Sequence, residues 1–246
     1  MAAMMTNEQK QQVWQAYRDR RPTRVPVMYG VNPRVVLLDP KWNTRGITFQ
    51  EYATDASATV EVQLLFMRYQ HEFLHQYCDH PVGLPRQWSF YVDNQNTYDS
   101  QYFGAVPAFR DGQVADVAPP LAGPAKRRIF EIDIDRPLDN PFVKDCLRRY
   151  EELKRAVGRL ASQPVELSVR PPLMGFDGPF TIAVNLRGPE LLTDLYEDPD
   201  YVVALTGFIQ RGASLRNRAL AALFGVQPFK GTRGSFADDS IALISP

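Results

Sequence analysis

The chain has little histidine, little cysteine and no excess of either charge. Among 246 residues there are 3 His and 2 Cys, and Lys plus Arg equals Asp plus Glu at 28 each. A net charge of zero gives no field to attract nucleic acid or anionic lipid, so neither is an expected partner. Two cysteines cannot form a disulfide framework, which favours a reducing, cytoplasmic location. No apolar run is long enough to span a bilayer, and the N-terminus lacks the pattern of a secretory signal.

Proline is plentiful, and its 20 residues stand mostly at the joints between patterned segments. Capping residues predict helices over about 6–20, 48–77 with a break near Asp55, 140–160 and 198–224. Short apolar runs predict strands at 24–31, 87–92, 164–170 and 235–239, and a further apolar segment bounded by Gly and Pro spans 178–188. Strands that alternate with helices are typical of an α/β fold with a parallel sheet.

The stretch HEFLHQYCDH at 71–80 holds every histidine of the chain and begins with H-E-x-x-H. In zinc peptidases, two histidines at this spacing bind the metal and the glutamate between them is the general base. A catalytic zinc also needs a third protein ligand, and His80 stands one residue too early for the extended motif. A helical wheel places His71 and His75 opposite the main apolar stripe. The pattern therefore favours a partly exposed helix end without metal, and a zinc peptidase is kept as an alternative.

A family resemblance comes from the second half of the chain. The segments LMGFDGPFTIAVNLRGPELLTDLYEDPDYV (173–202) and FADDSIALISP (236–246) resemble the uroporphyrinogen decarboxylase superfamily. There, a strand ending in G-x-x-G-P-[FW]-T leads to a short helix, an L-x-x-D-P segment and a long helix. The segment YVDNQNTYDSQYFGA (91–105) resembles the family's strand-end aspartate with the helix and glycine that follow. Together the pieces cover roughly residues 20–246.

The resemblance implies a (β/α)₈ barrel whose site lies at the C-terminal mouth, on loops that follow the strands. Residues 1–246 would form a single domain with about five of the eight β/α units. By the same resemblance, Asp93 is the catalytic carboxylate that holds the substrate's pyrrole N–H groups, and Asn185, Asp238 and Asp239 are substrate-binding residues at the mouth. From the residues alone, Asp93 reads equally well as the N-cap of a helix over 94–103.

The N-terminal part departs from the family. True decarboxylases carry an arginine-rich P-V-W-x-M-R-Q-A-G-R segment, whose guanidinium groups pair with the many carboxylates of the substrate. The matching segment here is VPVMYGVNPRVVL (25–37), in which Val31 stands at the position of the first of those arginines. Arg34 is the nearby cation and is therefore the predicted substrate-binding residue of this segment.

The function implied is cofactor-independent decarboxylation of a porphyrinogen-like small molecule, or a divergent relative of that reaction. One alternative is a corrinoid-dependent methyltransferase of the same fold, which would use zinc and a corrinoid, and another is a non-catalytic homologue. Ser245 and Pro246 resemble a helix start with no helix after it, which favours a fragment of a longer protein. An incomplete barrel leaves sheet edges unpaired, so a homodimer is a further expectation.

Overall fold

A computed structural model describes residues 5–160, 163–227, 238, 240 and 243. The chain forms two compact units. The first comprises Met1–Tyr91 and Glu152–Val169, and the second comprises Val92–Glu151 and Arg170–Pro246. Within the described residues, no helix is both long enough and apolar enough to cross a membrane.

The first two predicted helix starts of the first unit are confirmed, and both are capping boxes. Thr6 caps α1 (Asn7–Arg18) and Thr48 caps α3 (Phe49–Thr54). In each case the threonine oxygen accepts the N–H of the third helical residue, whose side chain returns a bond to the threonine N–H. This reciprocal arrangement satisfies two backbone donors that a helix start otherwise leaves unpaired. Between these helices lies the short α2 (Arg34–Leu37).

The predicted break at Asp55 is also confirmed. Asp55 is extended and its carboxylate accepts the N–H of Ala58, so it ends α3 and caps α4 (Ala56–Arg68). The helical path then continues as a π-helical turn over Tyr69–Phe73 and a 3₁₀ turn over Leu74–Tyr77. The H-E-x-x-H motif therefore lies on two irregular turns rather than on a regular α-helix.

The first unit contains a pair of parallel strands, β1 (Gln87–Phe90) and β4 (Glu166–Val169), numbered in chain order with the strands below. Trp88 and Phe90 of β1 are buried. On the opposite face of the sheet, the hydroxyls of the register partners Ser89 and Ser168 lie 3.0 Å apart. The strands predicted at 87–92 and 164–170 are thus present, in the expected parallel pairing.

The strand predicted at 24–31 is wrong, because the structure shows no strand in these residues. Pro26 has no N–H to donate to a ladder. The N–H and C=O of Val27 bond instead to the carboxylate and the N–H of Asp79, at 2.8 and 2.9 Å. Val25, Met28 and Tyr29 are more than half exposed. The prediction equated an apolar run with burial, and here the run lies at the surface.

The second unit is mainly helical. Its elements are α5 (Tyr98–Tyr102), β2 (Pro107–Ala108), β3 (Asp116–Val117), α6 (Pro141–Gly158), α7 (Pro179–Arg187), α8 (Glu190–Glu197) and α9 (Pro199–Leu223). The strands β2 and β3 pair antiparallel, and α6 runs on into the first unit. Short 3₁₀ helices span Gln95–Thr97, Gly123–Glu131 and Pro137–Asp139.

The core of the second unit is built largely from α7 and α9. Ile182 and Leu186 of α7 and Leu205 and Ile209 of α9 are 0% exposed. Tyr102 and Phe103, which end α5, belong to the same apolar cluster. Gly212 lets α9 approach closely, since a Cβ there would lie 3.0 Å from atoms of both Ile134 and Phe103. This packing is the principal stabilisation of helices whose individual propensities are modest.

The fold is a mixed α/β structure that is rich in helix. The helices predicted to begin at Asn140 and at Asp198 are present, as α6 and α9. The apolar segment 178–188 is a helix, α7, rather than a strand, and Gly178 and Pro179 mark its start. The strand predicted at 235–239 lies outside the described residues, apart from Asp238. The described strands are fewer than the five expected of the partial barrel.

Candidate functional site

The segments that follow β1 and β4 meet in the second unit. Parallel neighbouring strands end at the same edge of their sheet, so the chain leaves both from that edge. Beyond it, the backbone N–H of Asp177 donates to Oδ2 of Asp99 at 3.0 Å. The hydroxyl of Tyr98 lies 3.4 Å from Oδ1 of Asp177. Two loops that each follow a parallel strand are thereby fastened to one another, which is how sites at the ends of parallel strands are generally built.

A buried ion pair lies beneath these loops. Nη1 of Arg216, from the middle of α9, is 2.7 Å from Oδ1 of Asp99, and the two side chains are 0% and 2% exposed. Neither of these two atoms has an aligned hydrogen bond within the described residues. Desolvation of two charges costs several kcal/mol per ion, so a pair of this kind persists only where its partners are held in place.

The remaining contacts of Arg216 hold the loop after β4. Its Nη2 donates to the carbonyl of Gly175 at 3.1 Å, and the side chain of Asn217 donates to the same carbonyl at 3.2 Å. The guanidinium also lies 5.2 Å from the ring centre of Tyr102 and 5.8 Å from that of Tyr98, within the range of cation–π attraction. Arg216 therefore connects α9 to both loops.

Gly175 is needed where it stands, because a Cβ there would lie 3.1 Å from the hydroxyl of Tyr98. Burial raises the pKa of that hydroxyl well above its usual value, and the charges of Asp99 and Asp177 add to the effect. Burial also raises the pKa of Asp99, although the charge of Arg216 opposes the shift. The cluster of Tyr98, Asp99, Tyr102 and Arg216 is thus a desolvated polar core, here called the Asp99–Arg216 cluster.

Asp93, the predicted catalytic carboxylate, lies half-buried in the segment between β1 and α5. The 3₁₀ helix that follows spans Gln95–Thr97, and the side chain at its N-cap position, Asn94, makes no capping bond. The amide of Asn94 lies 3.4 Å from Sγ of Cys146, and its oxygen accepts a bond from Arg149. Burial raises the pKa of the Cys146 thiol, which makes it a core thiol rather than a nucleophile.

Asp238 serves as a capping group for α7. Its carboxylate accepts the N–H of Phe180 at 3.3 Å, and both the N–H and the hydroxyl of Thr181 at 2.7 Å. A Cβ at Gly178 would lie 2.0 Å from Cγ of Asp238, so only glycine leaves room for this carboxylate. A negative charge at a helix N-terminus is favourable. Asp238 therefore has a structural role as the cap of α7.

The other predicted site residues lie on different elements. Asn185 lies half-buried in α7, Asp239 lies outside the described residues, and Arg34 begins α2 in the first unit. Asp93, Asn185 and Asp238 all belong to the second unit.

The side chains of the H-E-x-x-H motif interact with neighbouring residues. Glu72 is the partner of Arg68, with two N–O distances of 2.9 and 3.1 Å. The half-buried ring of His71 lies against Trp88, at 6.4 Å between ring centres. Burial lowers the pKa of His71, and the nearby His75 and His80 lower it further. In the part of the chain that the structure describes, no three His, Cys, Asp or Glu side chains come together as metal ligands.

The residues that build the Asp99–Arg216 cluster were not predicted from the sequence. Asp99 stands only six positions after Asp93, but its helical position gave no sign of burial. Arg216 lies on α9 among residues that include Arg211 and Arg218, both exposed. Its one distinguishing signal is its spacing from the buried Ile209, Gly212, Ala213 and Leu220, which places it on the inner face of the helix.

No family model, no curated protein and no solved structure matches this chain. The resemblance to the uroporphyrinogen decarboxylase superfamily remains a prediction from the sequence.

Proposed function

We propose that the chain is a divergent relative of the uroporphyrinogen decarboxylases, which removes CO₂ from a pyrrole-bearing carboxylic acid without a cofactor. The observation that carries this proposal is the bond from the Asp177 N–H to the Asp99 carboxylate. It joins the loops that follow two parallel strands, as a site at the mouth of a (β/α)₈ barrel requires. The (β/α)₈ barrel itself belongs to the same proposal.

The polar groups at this position are mainly acidic. Asp93, Asp99 and Asp177 all belong to the two joined loops. The positive charge of Arg216 is directed to Asp99 and to the carbonyl of Gly175. Carboxylates placed in this way accept hydrogen bonds from N–H groups and stabilise a positive charge that develops on a substrate ring. A pyrrole presents such N–H groups.

The chemistry assigned to Asp93 follows from this arrangement. Protonation of a pyrrole carbon makes the ring electron-poor, so that the electrons of the carboxylate's C–C bond flow into the ring as CO₂ leaves. A proton then takes the place of the lost CO₂, and the ring carbon gives up the proton that it gained. The net change replaces CO₂ by a proton and requires no oxidant, reductant or metal. Asp93 would hold the pyrrole N–H groups and stabilise the cationic ring.

The substrate is expected to carry fewer carboxylates than uroporphyrinogen. The arginine-rich segment of the true decarboxylases is replaced here by VPVMYGVNPRVVL. Each carboxylate that enters a site without a guanidinium partner loses hydration and gains no charge-assisted bond in return. A porphyrinogen with five carboxylates, four propionates and one acetate, suits this chain better. It has fewer carboxylates than uroporphyrinogen, and its acetate keeps the carboxylate one carbon from the ring, so that the C–C bond electrons can enter the protonated pyrrole.

Binding of pentacarboxylporphyrin, the stable oxidised form of the five-carboxylate porphyrinogen, tests the proposal through the anisotropy of its own fluorescence. We expect saturable binding that weakens about tenfold or more in Asp93→Ala, because a hydrogen bond to a charged group is worth about 1.5–3 kcal/mol. The exposed Asp111 supplies the matched control, and Asp111→Ala is expected to bind like the unmodified chain. Equal affinity in all three proteins would show that Asp93 does not contact the pyrrole.

A further inference from the structure

A separate groove lies entirely within the first unit, between α4 and the C-terminal end of α6. Its volume is about 680 Å³, within the range of sites that take small organic molecules. Trp88 of β1 lines it together with residues of both helices and of the segment that precedes β4. The groove shares no residue with the Asp99–Arg216 cluster, which belongs to the second unit.

The walls of the groove are mainly apolar. They are formed by Val60, Leu64, Leu65, Trp88, Ala156, Leu160 and Pro164. Trp88 and Ala156 are buried, whereas Leu64 and Leu160 are only half-buried. Aliphatic side chains on two sides of an aromatic ring favour a ligand with an apolar body.

Among the charged residues that line the groove, Arg159 is the one without an ion pair to a described residue. Arg68 and Glu72 are paired with each other, and Glu61 is paired with Arg45. Arg159 also lines the groove and is exposed, and it forms no ion pair with any described residue. A ligand that carries one negative charge would complete the charge balance, and a guanidinium suits a carboxylate through two parallel hydrogen bonds.

Trp88 contributes the aromatic part of the groove lining. It is more than nine-tenths buried, and the ring of His71 lies against it at 6.4 Å between ring centres. Its Nε1 is enclosed by protein atoms, so a ligand in the groove would contact the Trp88 ring and not its N–H.

We propose that this groove binds a small apolar carboxylic acid. The apolar body of the ligand lies against Leu64, Leu160 and the Trp88 ring. Its carboxylate pairs with Arg159. Binding here does not require the decarboxylase activity proposed above, since none of its residues belongs to the loops that carry Asp93 and Asp99.

Titration calorimetry with decanoate, and with decanol as the uncharged molecule of the same chain length, tests the proposal. We expect decanoate to bind at one site per chain and more tightly than decanol. Arg159→Gln is expected to lower the decanoate affinity about fivefold, the effect of one partly exposed ion pair, and to leave the decanol affinity unchanged. Arg155→Gln, in the last turn of α6, is the matched control, since Arg155 is exposed and does not line the groove.

Two further measurements make the outcome decisive. Leu64→Trp places a bulky ring in the groove from a half-buried position and is expected to abolish decanoate binding while the chain stays folded. In ¹H–¹⁵N spectra, decanoate is expected to shift the indole signal of Trp88, identified with Trp88→Phe, and to leave that of Trp14 in place. No binding of decanoate, or binding that is equal in Arg159→Gln, Arg155→Gln and Leu64→Trp, would overturn the proposal.

Discussion

Arg216 of α9 and Asp99 of α5 form a salt bridge of 2.7 Å from which solvent is excluded on both sides. The two residues are more than a hundred positions apart in the sequence, and each belongs to a different part of the second unit. Because Asp99 also accepts the N–H of Asp177, this pair determines where the loops after β1 and β4 are held. A change at Arg216 should therefore affect the stability of the unit as well as any site that the loops form.

Replacement of Arg216 by methionine is expected to be severely destabilising. The substitution leaves Asp99 as a buried charge without its partner, which typically costs about 3–5 kcal/mol in the free energy of unfolding. Arg218→Met, at an exposed position of the same helix, is expected to change stability by no more than about 0.5 kcal/mol. Urea denaturation of both variants measures the difference.

The double variant Asp99→Asn with Arg216→Met tells whether the cost arises from the buried charge. Removal of both charges is expected to recover much of the stability lost in Arg216→Met alone, since an uncharged pair avoids most of the desolvation penalty. A double variant that is less stable than the single one would show that the guanidinium acts through packing and not through charge.

Gly178 and Gly207 are expected to respond oppositely to alanine. At Gly178 the new Cβ would lie 2.0 Å from Cγ of Asp238, so Gly178→Ala must displace the carboxylate that caps α7, at a cost of about 1 kcal/mol or more. At Gly207, inside α9, no atom lies within 4 Å of the new Cβ. Gly207→Ala is therefore expected to raise stability by about 1 kcal/mol.

The contrast between the two alanines is measured by thermal denaturation of each single variant. Asp238→Gly combined with Gly178→Ala provides the internal control, because glycine at 238 removes both the carboxylate and the Cβ that would lie 2.1 Å from the new alanine Cβ. The account of this cap is wrong if Gly178→Ala is as stable as the unmodified chain.

Stability at acid pH should depend on Asp79. Its carboxylate accepts two bonds of 2.6 Å from Arg24, and these lower its pKa from the ordinary 3.8 despite burial. A lowered pKa in the folded state gives stability that is present above pH 3.8 and is lost as the pH falls through the folded value. Asp79→Asn is expected to cost about 2 kcal/mol at neutral pH.

The pH dependence of the stability lost in Asp79→Asn distinguishes loss of the ion pair from a general destabilisation of the fold. The difference between Asp79→Asn and the unmodified chain should begin to shrink as the pH falls below 3.8, and should be lost once the pH passes below the lowered folded-state pKa of Asp79, where both side chains are uncharged. Asp111→Asn, at an exposed turn, is expected to match the unmodified chain at every pH. A deficit in Asp79→Asn that stays constant down to low pH would contradict the assignment.

Local signals predicted the helix starts well. Capping at Thr6, Thr48 and Asp55 depends on residues within three positions, and all three are where the sequence places them. The parallel strands β1 and β4 were recognisable because their apolar runs are short and bounded by turn residues. The apolar pattern alone did not identify α7 as a helix, because an apolar segment of nine residues fits a buried strand or a buried helix equally well.

Tertiary contacts could not be predicted from local sequence signals in this way. Whether an apolar run such as Val25–Tyr29 is covered depends on the chain around it, and here these residues are exposed. The partnership of Asp99 with Arg216 depends on how α9 packs, and neither residue carries a local signal of its partner. Asp93, the carboxylate predicted from the family pattern, lies in the segment between β1 and α5, and the neighbouring Asp99 carries the contacts that hold that segment.

Product analysis under anaerobic conditions tests the central claim most directly, namely that the loops after β1 and β4 form a decarboxylating site around Asp93. The chain and its Asp93→Ala and Asp111→Ala variants are incubated with pentacarboxylporphyrinogen and with uroporphyrinogen, and the carboxylates that remain on each product are determined by chromatography and mass spectrometry. The account predicts that the unmodified chain and Asp111→Ala remove CO₂ from an acetate side chain, from pentacarboxylporphyrinogen in preference, and that Asp93→Ala does not. Loss of CO₂ at the same rate in Asp93→Ala, or no loss with any of the three proteins, would contradict it.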